Sequence, residues 1–268
     1  MSVSTKDKRA AFRRLHEDAC FVLPNPWDVG SAVILQHLGF KALASTSAGM
    51  AWAMGQADGA VSLDEVLPHL SAIAHATDLP LNADFENGFA DTPDAVAHNV
   101  ALAIDTGISG LSIEDYTGDA AKGLYDFDLA VARIAAARAA IDRSGAEVVL
   151  TARSEGFLRG APDMDATLRR LAAFAAAGAD CLYAPGLREE GQIRTIVQAA
   201  APKPVNILSP GLPVATLAGL GVRRISLGGA LASVAYRAAL AAAQQIAEHG
   251  TFAPAAGGPA LNPIFAGR

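Results

Sequence analysis

The sequence predicts one α/β domain folded as a closed (β/α)8 TIM barrel, and three observations point there. Its 268 residues are close to the ~250 typical of that architecture. Short apolar runs recur eight times, each followed by a polar or Gly-bearing turn and an Ala-rich stretch of helical spacing. Hydrophobic residues make up 51% of the chain and charged residues 18%, so much of the chain must be buried in a sizeable core.

Taken in order, the first strand is expected at 21–24, followed by a helix over 28–38 that Gly39 ends. A strand at 42–45 leads to a helix over 63–77. The strand at 79–83 leads to a helix over 93–106, started by Thr92-Pro93 and stopped by Gly107. Strand 110–113 precedes helix 126–143, and strand 148–152 precedes helix 164–177, bounded by Asp163 and Gly178. Strand 181–184 with helix 189–200, strand 204–208 with helix 213–220, and strand 224–227 with helix 230–249 complete the set. None of the strands alternates strictly between apolar and polar residues, as expected of parallel strands buried on both faces. An open doubly wound sheet is the rival topology. Eight evenly spaced units, with no G-x-G-x-x-G after the first strand, favour the barrel. The barrel domain is assigned to residues 1–252. The tail, 253–268, is rich in Ala, Gly and Pro, lacks a helical period, and is expected on the surface or against a neighbouring subunit.

Composition excludes several classes of function. The formal charge is −6, and basic residues cluster only at Lys6, Lys8, Arg9, Arg13 and Arg14, so no nucleic-acid footprint is present. Mean hydropathy is +0.27, yet no apolar run reaches the ~18 residues that cross a bilayer, so no membrane partner is expected. Two cysteines, Cys20 and Cys181, are too few for a disulfide framework or a zinc cluster. The charged N-terminus has no apolar signal segment, and a cytoplasmic location is expected.

In barrels of this type the chemistry lies at the carboxyl ends of the strands. There the sequence places Ser45-Thr46-Ser47-Ala48-Gly49, Asp84-Phe85-Glu86-Asn87-Gly88, Glu114-Asp115, Arg153-Ser154-Glu155 and Asn206. Asp84, Glu86 and Glu114 would bring carboxylates together from two adjacent strands, and such groups repel unless a cation or proton lies between them. A hard divalent ion, Mg2+ or Mn2+, suits oxygen-only ligands. The competing reading is that these acids cap helices or pair with arginines. Arg153 would carry its charge into the mouth and needs an anion or a carboxylate partner. The run Thr46, Ser47, Ala48 offers hydroxyls and amides to an anionic group, or is simply a tight turn of small residues. None of the lysines falls at a strand end, which disfavours imine chemistry.

These motifs, together with Leu23-Pro24-Asn25-Pro26-Trp27-Asp28, with Asp58 and with Thr151-Ala152-Arg153-Ser154-Glu155, resemble the isocitrate lyase/phosphoenolpyruvate mutase superfamily over about residues 21–247. The resemblance implies a Mg2+-dependent barrel acting on small 2-oxo or 2-hydroxy carboxylates through an enolate-like intermediate. It implies metal binding by Asp84, Glu86 and Glu114, and substrate binding by Thr46, Ser47, Ala48 and Arg153. Substrate contacts are also expected of Asp84 and Asn206, from their places at the strand ends. Catalytic roles are expected for Asp58, Glu114, Arg153 and Lys122. It also implies homodimers or homotetramers that exchange the last helix, whose Ala-rich sequence suits close packing.

Two departures stand out. The family's D-x-D-x-G is D-x-E-N-G here, and the lyases' K-K-C-G-H lid is replaced by a loop over 115–125 with no Cys or His. Lys122, Tyr116 or a coordinated water would have to supply the proton that the lid cysteine gives elsewhere. The expected activity is that of a Mg2+-dependent lyase or decarboxylase cleaving a C–C bond. The alternatives are a phosphonopyruvate- or carboxyphosphonoenolpyruvate-type mutase or hydrolase, and a non-catalytic 2-oxo acid binding protein.

Overall fold

The computed structural model describes residues 3–17, 19–252 and 260–266. The chain begins with α1 (Thr5–Glu17) and enters the barrel through β1 (Phe21–Leu23) and α2 (Val29–His37). Asp28 caps α2 by accepting from the Ser31 amide at 2.6 Å, while Ser31 Oγ accepts from the Asp28 amide in return. Next come β2 (Leu43–Ala44), α3 (Ser47–Ala53), α4 (Leu63–Ala76) and β3 (Leu81–Asp84). Thr92 caps α5 (Pro93–Asp105), whose first position is proline, and β4 (Gly110–Glu114) follows. Then α6 (Phe127–Ser144) ends at Gly145 in the left-handed region, and β5 (Val149–Arg153) follows. Asp163 caps α7 (Met164–Ala176), which leads to β6 (Cys181–Tyr183), α8 (Glu190–Ala200) and β7 (Val205–Leu208). The series closes with α9 (Val214–Gly219), β8 (Arg224–Ser226), α10 (Ala230–His249) and α11 (Asn262–Ala266).

All eight strands are parallel, in the order β1-β8-β7-β6-β5-β4-β3-β2. The seam between β1 and β2 is bridged where the Ala44 amide donates to the Pro24 carbonyl at 3.0 Å. Asn25 reinforces it, donating to the Ser45 carbonyl and accepting from the Leu227 and Gly228 amides. The molecule is thus a single (β/α)8 barrel with the predicted strand sequence. Among the described residues no helix is long and apolar enough to cross a membrane.

Three helices lie outside the sequence expectation. The first, α1, plugs the amino end of the barrel. Phe12 is fully buried against Phe21, Leu23, Ala42, Ala44 and Val149. Gly110 makes room for it, since a Cβ there would lie 2.6 Å from the Phe12 ring and 2.7 Å from Asn82 Oδ1. Lys8 and Arg9 anchor the same helix to the carbonyls of Ala74, Thr77, Ile104 and Ile108. The second, α3, starts directly after β2, so residues read as a turn are the first turn of a helix capped by Thr46. The third, α11, contacts α2 and corrects the expectation of a tail without helical period. The rest of that expectation, at 253–259 and 267–268, lies outside the described residues.

Helix α10 is predicted correctly but packs differently from the other barrel helices. Only Ala232 on it is buried, while Val234 is 68% and Leu240 59% exposed.

Candidate active site

The carboxyl ends of the strands surround a cavity of about 500 Å3. At its centre, Asp84 ends β3 and is held from three sides. Its amide donates to Ser45 Oγ at 2.8 Å, its Oδ2 accepts from the Ser47 amide at 3.0 Å, and its Oδ1 accepts from Arg153 Nη1 at 2.7 Å. The Ser47 amide, expected to meet a substrate anion, is therefore engaged by Asp84. Thr46, Ser47 and Ala48 all line the cavity from the start of α3.

Glu86 follows on a turn that holds it at φ 44°, in the left-handed region. Such a conformation costs a non-glycine residue roughly 1–2 kcal/mol and is sustained by its surroundings. Here the Glu86 carbonyl accepts from the Glu114 amide at 2.9 Å, and Arg133 donates to the carbonyls of Asn87, Ala90 and Asp91. Burial pushes the Glu86 carboxyl up to about 8, helped by the charges of Asp84, Glu114 and Asp58. Asp58 is thus brought to the site from the loop after α3.

Glu114, at the end of β4, is buried and its pKa is also raised, first by burial and then by Glu155 and Asp84. Arg153, at the end of β5, is the cation at the centre of these acids. It donates from Nε to Glu155 Oε1 at 2.8 Å, places Nη2 3.7 Å from Glu114 Oε2, and lies over the Tyr183 ring. Burial pushes the Tyr183 hydroxyl up to about 12. Asp115, in contrast, faces away from substrate chemistry: it accepts from the Glu155 amide and from Arg170 and holds the strand ends in register.

Among the described residues, no three His, Cys, Asp or Glu side chains converge as a ready-made metal cage. The physical reason is Arg153, which occupies the ground between Asp84, Glu114 and Glu155. The donor set nevertheless fits a hard cation. Asp84, Glu86 and Glu114 line one cavity, Glu114 Oε2 is buried without a hydrogen-bond partner, and burial with neighbouring carboxylates pushes Glu86 and Glu114 upward.

Two expected residues are placed differently. Lys122 lies outside the cavity lining, with its side chain 69% exposed and 3.9 Å from Asp119. It sits on the outer arm of the 115–125 loop, where solvation outweighs any pull from the site. Asn206 lines the cavity but is fully buried, donating to Ser226 Oγ at 3.0 Å and accepting from Arg224 Nε at 2.8 Å. Both its polar ends are thus engaged within the protein. The sequence reading placed Glu155 at this strand end but missed Arg159 and Arg224. Arg159 lies six residues beyond Arg153 on the same strand-end turn, which is the signal that could have found it.

Comparisons with known proteins place these observations. The model of the phosphoenolpyruvate phosphomutase family matches residues 12–247. A crystal structure of a putative lyase/mutase from Burkholderia cenocepacia superimposes with a TM-score of 0.93 at 43% identity, covering 98% of this chain and 96% of that one. An oxaloacetate decarboxylase from Paraburkholderia xenovorans is 30% identical over 92% of this chain and 84% of its own length. An oxaloacetate acetylhydrolase solved with its product oxalate superimposes with a TM-score of 0.88 at 28% identity, covering 99% of this chain and 94% of that one.

Proposed function

The chain belongs to the phosphoenolpyruvate mutase/isocitrate lyase superfamily, and from that premise we propose that it is a Mg2+-dependent lyase or decarboxylase cleaving a C–C bond of a small 2-oxo or 2-hydroxy diacid. The observation that carries the reading is the crowding of Asp84, Glu86 and Glu114 around one cavity, with Glu86 pushed up to about 8. Such a cluster gains most from a bound divalent ion. The relatives described above add support, since one is named as a decarboxylase of oxaloacetate and another holds oxalate.

Asp84, Glu86 and Glu114 would hold the ion. When bound, Mg2+ supplies Lewis-acid polarisation of a carbonyl oxygen and compensation of the negative charge that develops there. The protein's own groups do the rest. Arg153 is fixed by Asp84 and Glu155, so its charge is preorganised within the acid cluster and needs no reorientation during reaction. The Ser47 amide and Ser45 hydroxyl orient Asp84. Asn87 donates to the Thr117 carbonyl and to Tyr125 Oη, which ties the Glu86 turn to the 115–125 loop that covers the mouth.

A panel of 2-oxo and 2-hydroxy diacids, oxaloacetate included, tests the reading. Turnover should require Mg2+, and Asp84→Ala should abolish both turnover and calorimetric Mg2+ binding. Undiminished activity in EDTA would sink it. A new phosphorus NMR signal from phosphonopyruvate would move the chemistry to P–C bonds, and tight oxalate binding without turnover of any diacid would leave a binding protein. The partner we propose for α10 is a second copy of this chain. Its Val234, Leu240 and Ile246 are exposed at positions spread around a helix on which only Ala232 is buried, while Tyr236 meets Trp52 edge to face, so the barrel leaves apolar side chains of this helix uncovered. A monomeric mass by light scattering would refute this.

A further inference from the structure

Two guanidinium groups reach the same buried oxygen, Glu114 Oε2, from Arg153 at 3.7 Å and from Arg159 at 3.5 Å. Their commitments differ. Arg153 makes two short charge-assisted hydrogen bonds, to Asp84 and Glu155, and its side chain is 11% exposed. Arg159 makes only long contacts, the second being 3.7 Å from Nε to Glu155 Oε2, and its side chain is 37% exposed at the cavity lining. Both carboxylate oxygens that face Arg159, Glu114 Oε2 and Glu155 Oε2, are buried without a hydrogen-bond partner. An arginine at ion-pair distance from two acids, hydrogen-bonded to neither, keeps its fork of donors available for another anion.

The surroundings hold Arg159 in that position. Its amide donates to the Glu155 carbonyl at 2.9 Å, closing the turn after β5. Gly186, at φ +94°, packs so closely on this turn that a Cβ would stand 2.8 Å from the Leu158 nitrogen. On its other side the Arg159 guanidinium stacks 4.0 Å from the Tyr116 ring, contributed by the loop that covers the mouth. The group is therefore fixed by backbone below and by an aromatic plane above.

We propose that Arg159 is the subsite for the second anionic group of the substrate, so that the cavity selects dianionic over monoanionic 2-oxo and 2-hydroxy acids. This rests on the proposed function above, with the first carboxylate and its 2-oxygen at the Asp84–Glu86–Glu114 end. A substrate entering a cavity lined by Asp58, Asp84, Glu86 and Glu114 needs compensating positive charge for each anion it brings. Arg153 is already saturated by protein carboxylates, and Arg159 is the neighbouring cation whose donors remain to be used. Arg159 stands 3.5 Å from Glu114 Oε2, so a diacid held at the acid cluster lies beside its guanidinium.

The test is calorimetric binding of malate, 2-hydroxybutyrate and oxalate to the full-length protein in saturating Mg2+. Malate and 2-hydroxybutyrate differ by a terminal carboxylate against a methyl group, and oxalate lacks the carbons that separate the two carboxylates of malate. The wild type should prefer malate by about tenfold or more. Arg159→Gln should remove most of that preference, Arg159→Lys should keep part of it, and oxalate affinity should change by less than about twofold. Thermal melts confirm that each variant is folded. An unchanged malate preference in Arg159→Gln overturns the subsite while oxalate binding leaves the broader reading intact. A wild type that binds none of the three ligands overturns both.

Discussion

At the carboxyl ends of the strands Arg153 sits among Asp84, Glu114 and Glu155, and Glu86 close by is pushed up to about 8. At the amino ends Arg224, equally buried, is met by neutral groups: Asn206 Oδ1 at 2.8 Å, Asn82 Oδ1 at 3.4 Å and His16 Nε2 at 3.3 Å. The mouth crowds carboxylates around one cavity, and Glu86 and Glu114 are pushed upward there. The floor spreads one cation over amides and an imidazole beneath an apolar plug. The two ends thus compensate their buried cations differently, with carboxylates at one and neutral groups at the other, and changes at the two ends should separate chemistry from stability.

The largest expected effect belongs to the mouth. Asp84→Ala removes the acceptor of Arg153 and of the Ser47 amide at once, and should lower kcat/KM by about a thousandfold or more, with little loss of melting temperature. A large fall in thermal stability with retained turnover would contradict the contrast. At the floor, Phe12→Ala empties a site with 0% exposure and should cost about 3–5 kcal/mol in denaturant titrations, while the folded fraction keeps its kcat.

Gly186→Ala tests the boundary between the two behaviours. It combines a left-handed backbone with a close backbone contact, and should cost roughly 2 kcal/mol. Because the displaced turn carries Arg159, KM for a diacid should rise while Mg2+ affinity measured by calorimetry stays as it was.

The smallest effect is a pH dependence of the floor. His16 donates from Nδ1 to the Phe12 carbonyl and accepts at Nε2 from Arg224, and burial pushes its pKa down to about 3, with Arg224 adding to the shift. A depressed value means that the unfolded chain takes up the proton first. The stability His16 contributes is therefore complete above about pH 6.5 and is lost as pH falls toward 3. Between pH 6.5 and 5 the loss should be about 2 kcal/mol. His16→Gln should flatten that slope in melts recorded across the range, and an unchanged slope would remove His16 from the account.

The eight strand runs and the helices between them were legible because strand burial, caps and stop glycines leave local marks. Thr92-Pro93, Asp163 and Gly107 lie where the structure uses them. The acids of the mouth were legible for a related reason, since the carboxyl end of each strand is a defined place in the chain. α1 was not, because what makes it a plug is Phe12 meeting Gly110, residues far apart in sequence. Lys122 was singled out by its place in the loop, yet its side chain turns to solvent. Arg159 carried no mark in the sequence, and only the folded turn sets it beside Tyr116 and Glu114.

The sequence by itself determined the barrel, its eight strand–helix units and the place of Asp84, Glu86, Glu114 and Arg153 at its mouth, because periodicity, capping and strand ends act over a few residues. The tertiary structure decided which cation each acid meets, which arginine keeps its donors free, and which carboxyls are driven upward. Those outcomes depend on through-space distance and on water exclusion, and both are set only when strands from opposite sides of the barrel come together.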